Sequence, residues 1–330
     1  MTLTRRAALS AAMTIAGAAA PAARRARAGT PVRLVLSWFA QAEVGGFYQA
    51  LARGYYADRG LDVRIAMGGP QVNAMQLLLA GQADFATGYD FQTLRGIAAG
   101  MPLLTVAASF QHDQQGLMTH ESVTGLAMLR GHPILIAGTA HATFWPWLRA
   151  RYGFSDAQLG AYTFNLQPFF HDPAMAVQAY ASSEPYQAAL HGVPVHFFPF
   201  AAIGYPPYGT PLLTTRAFAA ANDSLTADFV AASLAGWRDY LRAPEIGNAL
   251  IKKDNPRMTD GQLAFGVRGL AATRAVDGGD AARLGIGAMT EARWQATRDF
   301  MVGNALLPAT ADWRAAFTTR YVARAKVMPL

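Results

Sequence analysis

The 330-residue chain has no cysteine. That excludes disulfides, thiolate metal sites, a cysteine nucleophile and a lipid anchor on an N-terminal cysteine. After the first thirty residues no apolar run approaches the ~18 residues of a membrane-spanning helix. Charged residues are only 15% of the chain and show no basic stripe with interleaved aromatics. The chain has neither a G-x-S-x-G elbow nor an H-E-x-x-H helix, and its seven histidines lack metal-ligand spacing. "GIGAMT" (Gly285 to Thr290) follows no strand, so it makes a poor dinucleotide loop. These absences leave no catalytic residue, no metal site and no cofactor to expect.

What is present begins with residues 1–28, which read as an export signal: Arg5 and Arg6, an apolar stretch from Ala7 to Ala20, then small residues ending in "ARA". The paired arginines fit the twin-arginine route about as well as general secretion. Five of the 28 basic residues lie in this segment, so the mature chain carries 23 against 21 acids, and the case for a nucleic-acid partner falls away. The expectation is a soluble, monomeric periplasmic protein.

"VRLVLSW" (Val32 to Trp38) reads as a strand, Gly45 to Asp58 as a helix capped by Gly60, "LDVRIAMGG" as a strand, "PQVNAMQLLLAGQ" as a helix and "ADFATGY" as a strand. This β-α-β-α-β order predicts a parallel sheet flanked by helices, with ligand beyond the carboxyl ends of the strands. Three loops then converge: Trp38 to Glu43, Gly68 to Gln71, and Tyr89 with Asp90. A second α/β unit follows. "HPILIAG" reads as a strand, "TFWPWLRARYGF" as a helix, "YTFNLQPFF" as extended, "AMAVQAYASSEPYQAAL" as a helix broken at Glu184-Pro185, and "VPVHFFPF" as a strand. From Thr226 onward three apolar-striped segments read as helices.

Several residues carry two readings. Gly45 and Gly46 open a helix, where free backbone N–H groups bind anions or carbonyls; close helix packing explains them equally well. Glu43 argues against an anionic ligand, or else it pairs with the helix dipole. Gly68, Gly69 and Pro70 make a second amide-rich turn, with Pro70 at the first helical position. Glu184 faces the cleft, caps its helix or faces solvent, the cleft being the preferred reading. "QHDQQG" (Gln111 to Gly116) is a solvated loop or crossover, with Gln111 or His112 turned to the cleft as the lesser reading. Trp38, Phe39, Tyr89, Phe144, Trp145, Tyr186, Tyr205 and Tyr208 are each best read as core, yet together they suit stacking on a flat ligand. Thr139, just past the strand "HPILIAG", joins the candidates.

"SWFAQAEVGGFYQALARGYYADRGLDVRI", "GGPQVNAMQLLLAGQADFATGY", "SSEPY" and "YPPYGTPLLTT", in this order, resemble the SsuA/THI5-like substrate-binding proteins of ABC importers. That group includes thiamine-pyrimidine synthases and binders of riboflavin, pyrimidine precursors, nitrate, taurine and alkanesulfonates. The resemblance implies an α/β, two-lobed periplasmic-binding-protein fold of type II with the ligand cleft between lobes. Lobe 1 would take residues 30–110 and about 215–330, and lobe 2 residues 111–214. It implies an ABC permease as partner. It also places Trp38, Gln41 to Gly46, Gly68-Gly69-Pro70, Tyr89 and Glu184-Pro185-Tyr186 at the cleft. The missing cysteines depart from the synthase branch, and Glu43 departs from the anion binders, which turns the expected ligand toward a nitrogen heteroaromatic such as a pyrimidine or flavin-like compound.

Overall fold

A computed structural model describes residues 29–330; the export signal lies outside the described residues. Ten strands form two five-stranded sheets. The first contains β1 (Thr30–Val35), β2 (Leu61–Ala66), β3 (Phe85–Thr87), β4 (Leu103–Phe110) and β10 (Gly209–Thr215) in the order β2-β1-β3-β10-β4. The second contains β5 (Gln115–His120), β6 (Ile134–Ile136), β7 (Leu159–Ala161), β8 (Ala176–Tyr180) and β9 (Val195–Pro199) in the order β7-β6-β8-β5-β9. In each sheet three parallel strands are followed by one antiparallel strand that has just crossed from the other sheet. This is the two-lobed periplasmic-binding-protein fold, with crossovers at Gln111–Gln114 and Phe200–Tyr208.

β10 pairs between β3 and β4. The second sheet's share of the chain therefore ends at Pro199, not at the expected residue 214. The helix expected from Gly45 to Asp58 stops at Ala52; a turn and the 3-10 segment Ala57–Arg59 follow, and Gly60 caps that segment at φ 72°. Pro70 does not open a helix. Asn73 does, its side chain accepting from Gln76 N, so the helix is Ala74–Leu79.

The largest correction concerns "AMAVQAY". Its last five residues are β8, the central strand of the second sheet, buried along most of its length. "YTFNLQPFF" starts just past β7 (Leu159–Ala161) and is not a strand: a bend leads into the helix Gln167–His171. The three C-terminal helices form as read, at Asp223–Tyr240, Asp260–Ala272 and Glu291–Gly303, the last two capped by the hydroxyls of Thr259 and Thr290. The helix Gly45–Ala52 lies against Asp223–Tyr240. A Cβ on Gly45 would stand 2.0 Å from the Tyr240 ring, one on Gly46 2.2 Å from Trp237, and one on Gly236 2.1 Å from Gly46 O. The close crossing buries Trp237 completely. At about 25 cal/mol per Å² over the ~200 Å² of such a side chain, that burial is worth about 5 kcal/mol gross.

Candidate functional site

Each lobe sends strand-end loops into one cleft. On the first lobe the chain leaves β1 at Leu36 and is pinned at once. Ser37 N donates to Thr87 Oγ1 (2.8 Å), Gly68 N to Trp38 O (3.0 Å), and Asn255 Nδ2 to Ala40 O (2.9 Å). Gly68 is required because a Cβ there would meet Leu36 O at 2.1 Å. Gln41 in extended conformation then starts the 3-10 turn Ala42–Val44, which aims Gln41 and Glu43 at the second lobe.

The second lobe answers with Ser182 and Ser183, between β8 and the helix Glu184–Leu190. Ser182 Oγ donates to Glu43 Oε1, and Ser183 Oγ donates to Gln41 Oε1 at 3.0 Å. Glu184 sits beside them, accepting from Tyr162 Oη at one oxygen and from Tyr180 N at the other, both at 2.7 Å. The helix Asp260–Ala272 lies over this seam: Gln262 Nε2 donates to Ser183 O, and a Cβ on Gly266 would approach both Ala42 and Ser182 O.

The cleft has a mouth and a nearly closed interior. The mouth, about 330 Å³, is lined by Ser37, the Pro70–Met75 segment, Tyr89, Gln92, Gly138 and Thr139. Behind it lie two compartments of about 30 and 10 Å³ that share Trp38, Tyr180 and Glu184. Phe39, Gln41, Glu43, Ser183 and Thr210 complete the larger compartment; Tyr89, Thr139, Tyr162 and Gln178 complete the smaller. The interior holds on the order of one or two waters, so a ligand enters only as the lobes part.

No Arg, Lys or His lines any of these compartments among the described residues. Two carboxylates do. Burial pushes Glu184 up to about 7, against the hydrogen bonds from Tyr180 N and Tyr162 that favour its charged form. Glu43 is raised by burial as well, with Ser182 opposing, and its Oε2 is buried without a hydrogen-bond partner. Tyr89 is raised to about 12 by burial, with Tyr180 opposing.

The structure thus brings Trp38, Phe39, Gln41, Glu43, Pro70, Tyr89, Thr139 and Glu184 to the cleft. It leaves the other candidates elsewhere. Gly45 and Gly46 are buried under Tyr240 and Trp237, and Gly68 and Gly69 pack on the Leu36–Phe39 loop. Asp90 is buried beneath the cleft, accepting from Tyr208 N. Gln111 is held in the crossover, its Nε2 donating to Ala288 O. The QHDQQG stretch is a crossover but not a solvated one, since Gln111, Asp113 and Gln114 are all buried. Phe144 packs on Phe200, and Tyr205 on Phe91 and Trp147, in the second core. Tyr186 lies against Gly261 and Phe265, in contact between the lobes. Sequence reasoning missed Tyr162, Gln178, Tyr180, Ser182, Ser183 and Thr210. With β8 read as a strand, the rule that selected Tyr89 would also have selected Ser182 and Ser183.

A family model described as NMT1/THI5 like matches residues 41–246. The chain belongs to the NMT1/THI5 like family. RibY of Chloroflexus aurantiacus, named a riboflavin-binding protein, is 28% identical over 324 residues, covering 92% of this chain and 91% of RibY. The alkanesulfonate-binding protein SsuA of Xanthomonas axonopodis pv. citri, solved with MOPS, superposes with a TM-score of 0.63 at 15% identity, covering 89% of this chain and 99% of its own. The nitrate-binding protein NrtA of Synechocystis PCC 6803 gives 0.61 at 12%, covering 90% and 88%. Family and fold agree: this NMT1/THI5 like chain has the two-lobed periplasmic-binding-protein fold with a small-molecule-sized cleft between its lobes. Among the described residues no cluster of His, Asp and Glu is suited to a metal ion, and no helix is long and apolar enough to cross a membrane.

Proposed function

We propose that the protein captures a nitrogen heteroaromatic compound, of pyrimidine or flavin-like type, between its lobes and presents it to an ABC permease. The observation that carries this reading is the cleft interior itself: two buried carboxyl groups, one of them with an unpartnered oxygen, and no cation among the lining residues. A buried Glu43 oxygen without a partner costs ~1–3 kcal/mol or more, which a ligand N–H or amino group recovers. Trp38 and Tyr89 offer aromatic faces, and Gln41 offers both a donor and an acceptor. The cross-cleft bonds of Gln41 and Glu43 to Ser183 and Ser182 occupy the polar groups a ligand needs. Binding exchanges them for ligand contacts, and only the difference in affinity between open and closed forms shifts the lobes. The riboflavin-binding name of RibY supports the same chemical class.

Thermal shift against riboflavin, aminopyrimidines, taurine, an alkanesulfonate and nitrate tests the reading. A rise in Tm with a heteroaromatic compound, abolished in Glu43→Ala and reduced in Glu43→Gln, is expected. Stabilisation by sulfonates or nitrate alone overturns it. That second reading draws on the names of SsuA and NrtA, and it would have to recruit Arg257, whose guanidinium carbon lies 6.0 Å from the Phe39 ring centroid.

A further inference from the structure

Two connectors join the lobes, and one side chain touches both. Arg293, on the helix Glu291–Gly303, donates from Nε to Pro206 O at 2.5 Å and from Nη2 to Gln111 O at 3.1 Å. Pro206 lies in the crossover that ends at β10; Gln111 begins the crossover that leaves β4. The guanidinium also covers the Tyr208 ring, its carbon 5.1 Å from the centroid. Tyr208 extends the same network. Its hydroxyl accepts from Thr290 N (3.0 Å), and its own N donates to Asp90 Oδ2 (2.8 Å), next to the cleft residue Tyr89. Gln111 is held twice more, its N donating to Ala275 O (2.6 Å) and its Nε2 to Ala288 O (2.9 Å).

We infer that Arg293 is a hinge clasp: a positioning residue that ties both crossovers to one C-terminal helix and so sets how freely the lobes part. Opening a two-connector hinge changes backbone angles in both connectors. A planar guanidinium that holds one carbonyl on each makes their movements dependent on each other. Lysine keeps the charge but lacks the fork that spans both acceptors. His112, on the first crossover, is half-buried, and both burial and the neighbouring Arg293 charge lower its pKa. It therefore adds no cation that could replace the clasp near neutral pH.

This rests on the two-lobed cleft being the binding site, but its test needs no ligand. The natural absence of cysteine allows a pair of spin labels to be placed at Asp58→Cys and Met128→Cys, exposed positions on the first and second lobes. In refolded, ligand-stripped protein the interlobe distance distribution should be narrow. Arg293→Met should add a second, longer component, the open-to-closed ratio rising roughly tenfold or more for loss of both charge-assisted hydrogen bonds. Arg293→Lys should fall between the two and decides the matter if the methionine variant does not fold. Arg314→Met, which removes a pairing to Glu291 at the start of the same helix, should leave the distribution unchanged. A lower Tm with an unchanged distribution in both Arg293 variants would reduce Arg293 to a local brace and overturn the inference. The heteroaromatic reading can fail while the label distances still shift, so the two failures are distinguishable.

Discussion

The two lobes repeat one plan with different chemistry. After its first parallel strand each sheet runs through a 3-10 turn into a helix: Ala42–Val44 and Gly45–Ala52 after β1, Gly138–Ala142 and Trp145–Tyr152 after β6. After its third parallel strand each starts a helix on an acid: Asp90 after β3, Glu184 after β8. A carboxylate at a helix N-terminus is ordinarily favoured in its charged form. Here burial overrides the dipole and raises both residues to about 7. They differ in hydrogen bonding. Glu184 has a donor on each oxygen and faces the cleft; Asp90 has one oxygen without a partner and faces the hinge network. Similar topology therefore does not make an acid a ligand group. What matters is whether the chain beside it opens toward the other lobe.

The glycines after the two first strands should separate most sharply. Gly46→Ala drives a methyl into the Trp237 ring and should cost ~3 kcal/mol or more in denaturant unfolding, while Gly138→Ala, with nothing within 4 Å, should stay within ~0.5 kcal/mol. Equal effects would mean that the C-terminal helix does not distinguish the lobes. Next in size, Glu184→Ala strands the Tyr162 hydroxyl and the Tyr180 N–H, for an expected loss of ~2–4 kcal/mol. Asp90→Asn keeps an acceptor for Tyr208 N and should change stability by under ~1 kcal/mol.

The pH dependence follows from the raised acids. Between the ordinary value of 4.5 and about 7 the folded chain holds a proton on Glu184 that the unfolded chain has lost, so this group's contribution to stability falls as pH rises through that window. Asp90 does the same from 3.8 to about 7. Glu184→Gln should flatten the measured slope of unfolding free energy between pH 5 and 7 by about one group's share, and Asp90→Asn by a similar amount. A slope unchanged in either variant would show that the acid is not raised by burial.

Much of the first lobe was legible in the sequence because its strands and helices alternate with short links and clear glycine punctuation. Trp38, Gln41, Glu43 and Tyr89 follow from the strand-end rule. The second lobe was harder for a physical reason. β8 is a central strand buried on both faces, so its Ala-rich sequence has no polar alternation and runs straight into a helix. Misreading it hid Ser182 and Ser183, the partners that explain Gln41 and Glu43. Phe144, Tyr186 and Tyr205 carry the same aromatic signal as Trp38. Only tertiary packing separates a cleft wall from a core, and that information lies in residues far along the chain.

The placement of β10 bears on how the molecule comes to be folded. The second sheet is drawn from one uninterrupted stretch, Gln115–Pro199, and can assemble as soon as that stretch is available. The first sheet cannot. Its fourth strand lies between β3 and β4 yet arrives only after the whole second sheet has been made, and its main helical cover, Asp223–Tyr240, comes later still. The lobe bridged by both crossovers begins first and finishes last, leaving β3 and β4 with unpaired edges open to aggregation until β10 arrives.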